Sequence, residues 1–115
     1  MAKAQRFNWI LATVAILALP LTSAAQGTVR IVQTNSAGDN VHVIDPVTNT
    51  VVGEITGIER AHGAAPSPNG KWLYVANESD DTVDVVDMEM LKVVKQIELM
   101  GRPNNIGITP DGRKV

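Results

Sequence analysis

Two histidines, two arginines and a run of carboxylates are the side chains through which this chain could do chemistry. His42 and His62 are the only near-neutral bases and imidazole donors it has. His62 sits in Arg60-Ala61-His62-Gly63, where a loop enters a strand. It reads either as a haem ligand, metal ligand or general base, or as a polar residue that orders a junction between sheets. The second reading is preferred, because a base or ligand needs partner groups nearby. His42 falls in mid-strand and is read as structural. Arg60 and Arg102 stand at equivalent positions of the chain. Guanidinium groups presented together suit carboxylates and phosphates, whereas single ones more often brace a neighbouring element. Asn104 and Asn105 accompany Arg102 and supply amide donors. Glu78, Asp80, Asp81, Asp84, Asp87 and Glu89 offer oxygen ligands of the kind calcium takes. Their spacing is not that of a calcium loop, so Asp80-Asp81 is read as a solvated turn. No Gly-x-Ser-x-Gly, phosphate loop, His-Glu-x-x-His or CxxCH motif is present.

The elements that must position these groups are set by a repeat. Arg30–Lys71 and Trp72–Arg113 align without gaps at an offset of 42 residues, with eleven identities. These are Asn35/Asn77, Asp39/Asp81, Val41/Val83, Val43/Val85, Asp45/Asp87, Val51/Val93, Val52/Val94, Ile55/Ile97, Arg60/Arg102, Pro68/Pro110 and Gly70/Gly112. Chance supplies roughly two or three at ordinary residue frequencies. β-branched runs bounded by turn formers predict strands at Thr28–Gln33, Val41–Ile44, Thr50–Ile55, Gly63–Ser67, Trp72–Ala76, Thr82–Val86, Lys92–Leu99 and Asn105–Thr109. Four short strands per repeat of this length are the mark of a β-propeller blade. The expected fold is all-β. Residues 28–57 form an incomplete blade, 61–99 a complete four-stranded one, and 103–115 the start of the next.

A propeller has four to eight blades. The chain therefore reads as part of a longer ring, of seven blades and about 300 residues, in which the first blade takes its inner strand from the far end. The strands lack clean alternation: Val85-Val86 and Val93-Val94 are adjacent apolar pairs. Blades packed on both faces account for that, and polar members such as Asp84 and His42 are then expected near blade edges. Asp45 and Asp87 are expected to cap the turns that follow them, with Asn35/Asn77 and Asp39/Asp81 doing so around the preceding loop. The junction holding Arg60, His62, Arg102, Asn104 and Asn105 falls on the face where the central channel opens.

Met1–Ala25 carries Lys3 and Arg6, an apolar run Trp9–Leu21 and small residues before Gln26. It reads as a signal-peptide helix cleaved after Ala25, because the 13-residue apolar run is too short to span a bilayer that needs about 20. The mature chain is then residues 26–115, outside the membrane. Of the ten basic side chains eight remain, against twelve acidic ones. This balance disfavours nucleic acid as the main partner. Cysteine is absent, which excludes disulfides and thiolate metal sites in this stretch.

Tyr74-Val75-Ala76-Asn77, Val83-Asp84-Val85-Val86-Asp87, Lys92-Val93-Val94-Lys95-Gln96-Ile97 and Ile106-Gly107-Ile108-Thr109-Pro110-Asp111-Gly112 resemble the YVTN-type β-propeller repeat. The resemblance covers nearly all of Thr28–Val115. It departs from the pattern at Asn105, where the repeat has glycine, at Ala64-Ala65-Pro66, which replaces a bulkier apolar strand, and at Gln33-Thr34, which replaces Val-Thr. It implies a secreted or periplasmic propeller, more distantly similar to the cytochrome d1 haem domain and the amine dehydrogenase heavy chain. The expected function is a scaffold that binds a protein or a small anionic ligand, with no cofactor required. The alternative is the propeller subunit of a periplasmic redox enzyme, or its domain for haem or a quinone-derived cofactor.

Overall fold

The computed structural model describes residues 27–115; the expected signal peptide, Met1–Ala25, lies outside them. Seven strands form two antiparallel up-and-down sheets. β1 (Ile31–Thr34), β2 (Asn40–Asp45) and β3 (Thr50–Thr56) make the first, in that order. β4 (Ala61–Pro66), β5 (Trp72–Asn77), β6 (Thr82–Asp87) and β7 (Lys92–Glu98) make the second. The sequence repeat is thus a structural one: β1, β2 and β3 correspond to β5, β6 and β7.

Local chemistry repeats with it. The Asp45 carboxylate accepts the Val47 N–H at 2.8 Å, and Asp87 accepts the N–H groups of Glu89 and Met90 at 2.9 and 3.0 Å. Each turn then closes through a left-handed residue, Asn49 (φ 54°) and Leu91 (φ 52°). Val52 and Val94 are each passed over in the pairing, where the register shifts between Val43/Ile44 and between Val85/Val86. Two β-bulges therefore explain why Val51-Val52 and Val93-Val94 are adjacent apolar pairs. Asp39 and Asp81 serve their loops through backbone carbonyls, which accept from Gly57 and Leu99 at 2.9 Å.

The core is the seam between the sheets. Val41, Val43, Ile55 and Ile58 from the first unit meet Ala61, Leu73, Val75 and Val86 from the second. Burying each large aliphatic side chain is worth about 1.5–3 kcal/mol. Leu91 docks on Gly53, whose missing side chain leaves the space: a Cβ there would lie 2.5 Å from Leu91 Cδ1.

Two expectations are corrected. Asn105–Thr109 is not a strand in the described residues. Its hairpin does begin: Thr109 N–H donates to Lys114 O at 2.9 Å and Gly112 N–H to Thr109 O at 2.8 Å. These repeat the Ser67–Trp72 and Gly70–Ser67 bonds, both 2.8 Å. The partner strand equivalent to β5 would start at Lys114, and the described residues show no ladder there. Asp84 is not at an edge but fully buried. Its carboxylate accepts from Thr82 Oγ1 at 2.6 Å, Asn77 Nδ2 at 3.0 Å and Gln96 Nε2 at 3.2 Å. Three neutral donors replace the water it loses. The same spot in the first unit holds His42, and there Asn35, Asn40 and Glu54 bond to one another instead.

Candidate functional site

The loop end of β4 is built by a break in its pairing. Ala61 pairs with Asn77, but the next aligned pair is Ala64 with Val75. His62 and Gly63 are released from the ladder between them. Gly63 N–H turns away and donates to Asn104 O at 2.8 Å. Glycine is required there: a Cβ would lie 2.8–2.9 Å from Ile106 N, Asn104 O and Asn105 Cα. The bulge therefore brings residues 104–106 against β4 and swings His62 between two partners. His62 Nε2 lies 3.2 Å from Glu78 Oε2, and Nδ1 lies 3.4 Å from Asn104 Nδ2. An Asn104 amide donating to Nδ1 leaves Nε2 as the N–H that faces the carboxylate.

Arg60 precedes β4 with φ at 52°, the left-handed region. Its N–H donates to Gly38 O at 3.0 Å, and its carbonyl accepts from Glu78 N at 3.4 Å. Its guanidinium approaches the same Glu78 oxygen at 3.5 Å. Glu78 thus collects both cationic candidates. Most of the five guanidinium donors of Arg60 still face solvent, since its side chain is 56% exposed. Ser79 Oγ donates to Glu59 Oε2 at 3.1 Å and fastens the neighbouring loop. A recess of about 230 Å³ opens here, floored by Ala61 and Gly63 and rimmed by Thr34, Ser36, His62, Asn104 and Asn105. A second, of about 480 Å³, adjoins it at Ser36 and reaches Glu59 and Arg60.

The structure brings together Arg60, His62, Asn104 and Asn105. Arg102 is exposed and makes no hydrogen bond or ion pair with the described residues. It does not repeat the left-handed backbone of Arg60, because Pro103 follows it and a residue before proline is held extended. Glu78 is the member that sequence reasoning grouped with the calcium candidates. Its signal was its place just after Asn77, the partner of Ala61. Both ring nitrogens of His62 already have partners, so holding a haem iron would require one of them, Glu78 or Asn104, to be given up. The carboxylates do not converge: among the described residues no three metal-ligating side chains form a group.

No family model matches the chain, and no curated protein does. Solved structures do match. Hydrazine synthase from Kuenenia stuttgartiensis aligns over 73% of this chain and 24% of its own, with 33% identity and a TM-score of 0.70. The dihydro-haem d1 dehydrogenase NirN, in complex with DHE, aligns over 73% of this chain and 18% of its own, with 26% identity and a TM-score of 0.62. A β-propeller domain from Myceliophteria thermophila aligns over 69% and 28%, with 19% identity and a TM-score of 0.56. The chain therefore spans about a quarter or less of the length of these proteins. With its two serial antiparallel sheets, the chain has the β-propeller fold.

Proposed function

We propose that this is a secreted or periplasmic propeller of the YVTN-repeat type, and that it binds a protein or small anionic ligand at the loop end of β4. The observation that carries this reading is the Arg60–His62–Glu78–Asn104 constellation at the rim of an open polar recess. Arg60 offers free guanidinium donors, and Asn104 and Asn105 offer amides. Glu78 orients Arg60 and His62 and sets the competition that a ligand carboxylate must win. Titration calorimetry with small dicarboxylates and with an acidic peptide tests the reading. The expected result is salt-sensitive binding that Arg60→Gln and Asn104→Ala each weaken about tenfold. The same affinity in both variants as in the native chain would refute it.

A second reading is a propeller domain of a redox enzyme. It is favoured by the likeness to structures named as a hydrazine synthase and a haem d1 dehydrogenase. It requires His62 to give up Glu78 or Asn104. Titration with haem, read in the visible spectrum, separates the two: a His62-dependent absorption shift supports the redox reading, and an unchanged haem spectrum opposes it.

A further inference from the structure

Asn69 stands in a turn whose chemistry the candidate site does not use. Of the asparagines in the chain it alone is followed by glycine. The turn joins β4 to β5 through Ser67, Pro68, Asn69 and Gly70. Gly70 N–H donates to Ser67 O at 2.8 Å, which closes a β-turn with Pro68 in its second position. Gly70 then takes a left-handed backbone, φ 70°, which a residue with a Cβ resists. The turn therefore demands glycine after Asn69, and no Cβ shields the Gly70 nitrogen from the Asn69 side chain.

The Asn69 carboxamide is held by its oxygen alone. Oδ1 accepts the Ser67 hydroxyl at 2.8 Å and the Lys71 N–H at 3.1 Å. The Ser67 proton is directed there because Trp72 N–H donates to the same Oγ at 2.9 Å. Asn69 Nδ2 has no partner among the described residues, and Asn69 and Gly70 are exposed. Two donors on a carbonyl oxygen stabilise the negative charge that builds there when a nucleophile adds to the carbon. The amide nitrogen is left free to depart.

The next repeat shows the same turn with an acid in place of the amide. Thr109, Pro110, Asp111, Gly112 and Arg113 are the counterparts of Ser67, Pro68, Asn69, Gly70 and Lys71. Asp111 Oδ1 accepts the Thr109 hydroxyl and, at 3.1 Å, the Arg113 N–H. Gly112 N–H donates to Thr109 O at 2.8 Å, and Gly112 also has φ 70°. An aspartate at 69 thus has its hydrogen bonds already provided, since the turn uses only the oxygen.

We infer that Asn69 is a site of spontaneous deamidation in the folded chain, with aspartate as the product that the turn retains. Hydroxide takes the Gly70 amide proton, and the nitrogen attacks Asn69 Cγ. The new N–Cγ bond closes a five-membered imide ring. The Cγ–Nδ2 bond breaks, and ammonia leaves with one proton taken from solvent. One water then opens the ring. Opening at Cγ gives aspartate. Opening at the Asn69 backbone carbonyl carbon gives isoaspartate, which puts an extra methylene into the main chain between Ser67 O and Gly70 N–H. Either product adds one negative charge beside Lys71.

The folded chain, and the chain unfolded in guanidinium chloride, are incubated in mildly alkaline heavy-oxygen water and then digested with trypsin in ordinary water. Mass spectrometry of the Ala61–Lys71 peptide reads the oxygen incorporated at Asn69. Asn69 is expected to convert ahead of every other asparagine. Conversion is expected to be about tenfold slower in the folded chain, because the single Gly70–Ser67 hydrogen bond must open. Slowing by about a hundredfold or more, as conversion only through global unfolding would give, overturns the inference. So does another asparagine converting first. Asn69→Asp tests the product: its thermal midpoint is expected to equal that of the native chain, and a fall of more than about 5 °C overturns the retained turn.

Discussion

Asp84 is the residue on which the second sheet most depends. Its carboxylate is fully buried and is the common acceptor for Asn77, Thr82 and Gln96. Asp84→Ala leaves these donors buried without their acceptor, at about 1–3 kcal/mol for a stranded group. We expect a loss of about 3 kcal/mol, read as a lower urea midpoint. His42→Ala, at the equivalent position of the first unit, is expected to change stability by about 1 kcal/mol or less, since no hydrogen bond holds that side chain. Equal effects of the two substitutions would contradict this account. Asp111 gives a pH prediction. The Thr109 hydroxyl, followed by the Arg113 N–H, holds its carboxyl below the ordinary aspartate value of 3.8. A lowered folded value means that the charged form supports the 109–114 turn. That support is in place above pH 3.8 and is lost as pH falls through the lower folded value. A carboxyl-carbon NMR titration should show Asp111 ionising below 3.8 in the native chain and moving towards it in Thr109→Val.

At the scale of elements, strand existence was legible in the sequence because β-branched runs and turn residues recur together at 42 residues. The bulges were not. Val85-Val86 and Val93-Val94 read as strands apolar on both faces, while the structure passes over Val94 in the pairing, and over Val52 at the same place in the first unit. The site was half legible for the same reason. His62 and Asn104 occupy equivalent repeat positions, so periodicity predicts that they share an environment. Their contact depends instead on the break in β4, which no repeat pattern reveals. Gly63→Ala tests that geometry. Its Cβ would meet backbone at 2.8–2.9 Å, so residues 104–106 must move. We expect a loss of about 1–3 kcal/mol and faster amide exchange at position 63, as the bond to Asn104 O opens. Gly53→Ala should cost less, because the obstructing atom there is the tip of the Leu91 side chain. A larger effect at Gly53 than at Gly63 would show the roles to be reversed. Leu91 itself takes a left-handed backbone that costs a non-glycine residue about 1–2 kcal/mol. Leu91→Asn eases that strain but empties the space over Gly53, and a net destabilisation is expected in thermal unfolding.

The whole molecule is a series of sheets that bury their apolar faces on one another. Its architecture follows from the repeat: among the described residues the buried cluster is the seam, to which both sheets contribute. The same arrangement leaves Ile97, Leu99 and Met100 on one outer face and Ile31 and Val51 on the other. Stability should therefore depend on what covers those faces. The central claim is the serial packing itself, with Leu91 of the second unit inserted over Gly53 of the first. The most direct measurement is the nuclear Overhauser effect between the Leu91 δ-methyl protons and the Gly53 α protons in an isotope-labelled folded chain. A strong cross-peak is the predicted result; a well-dispersed spectrum without that cross-peak would contradict the account.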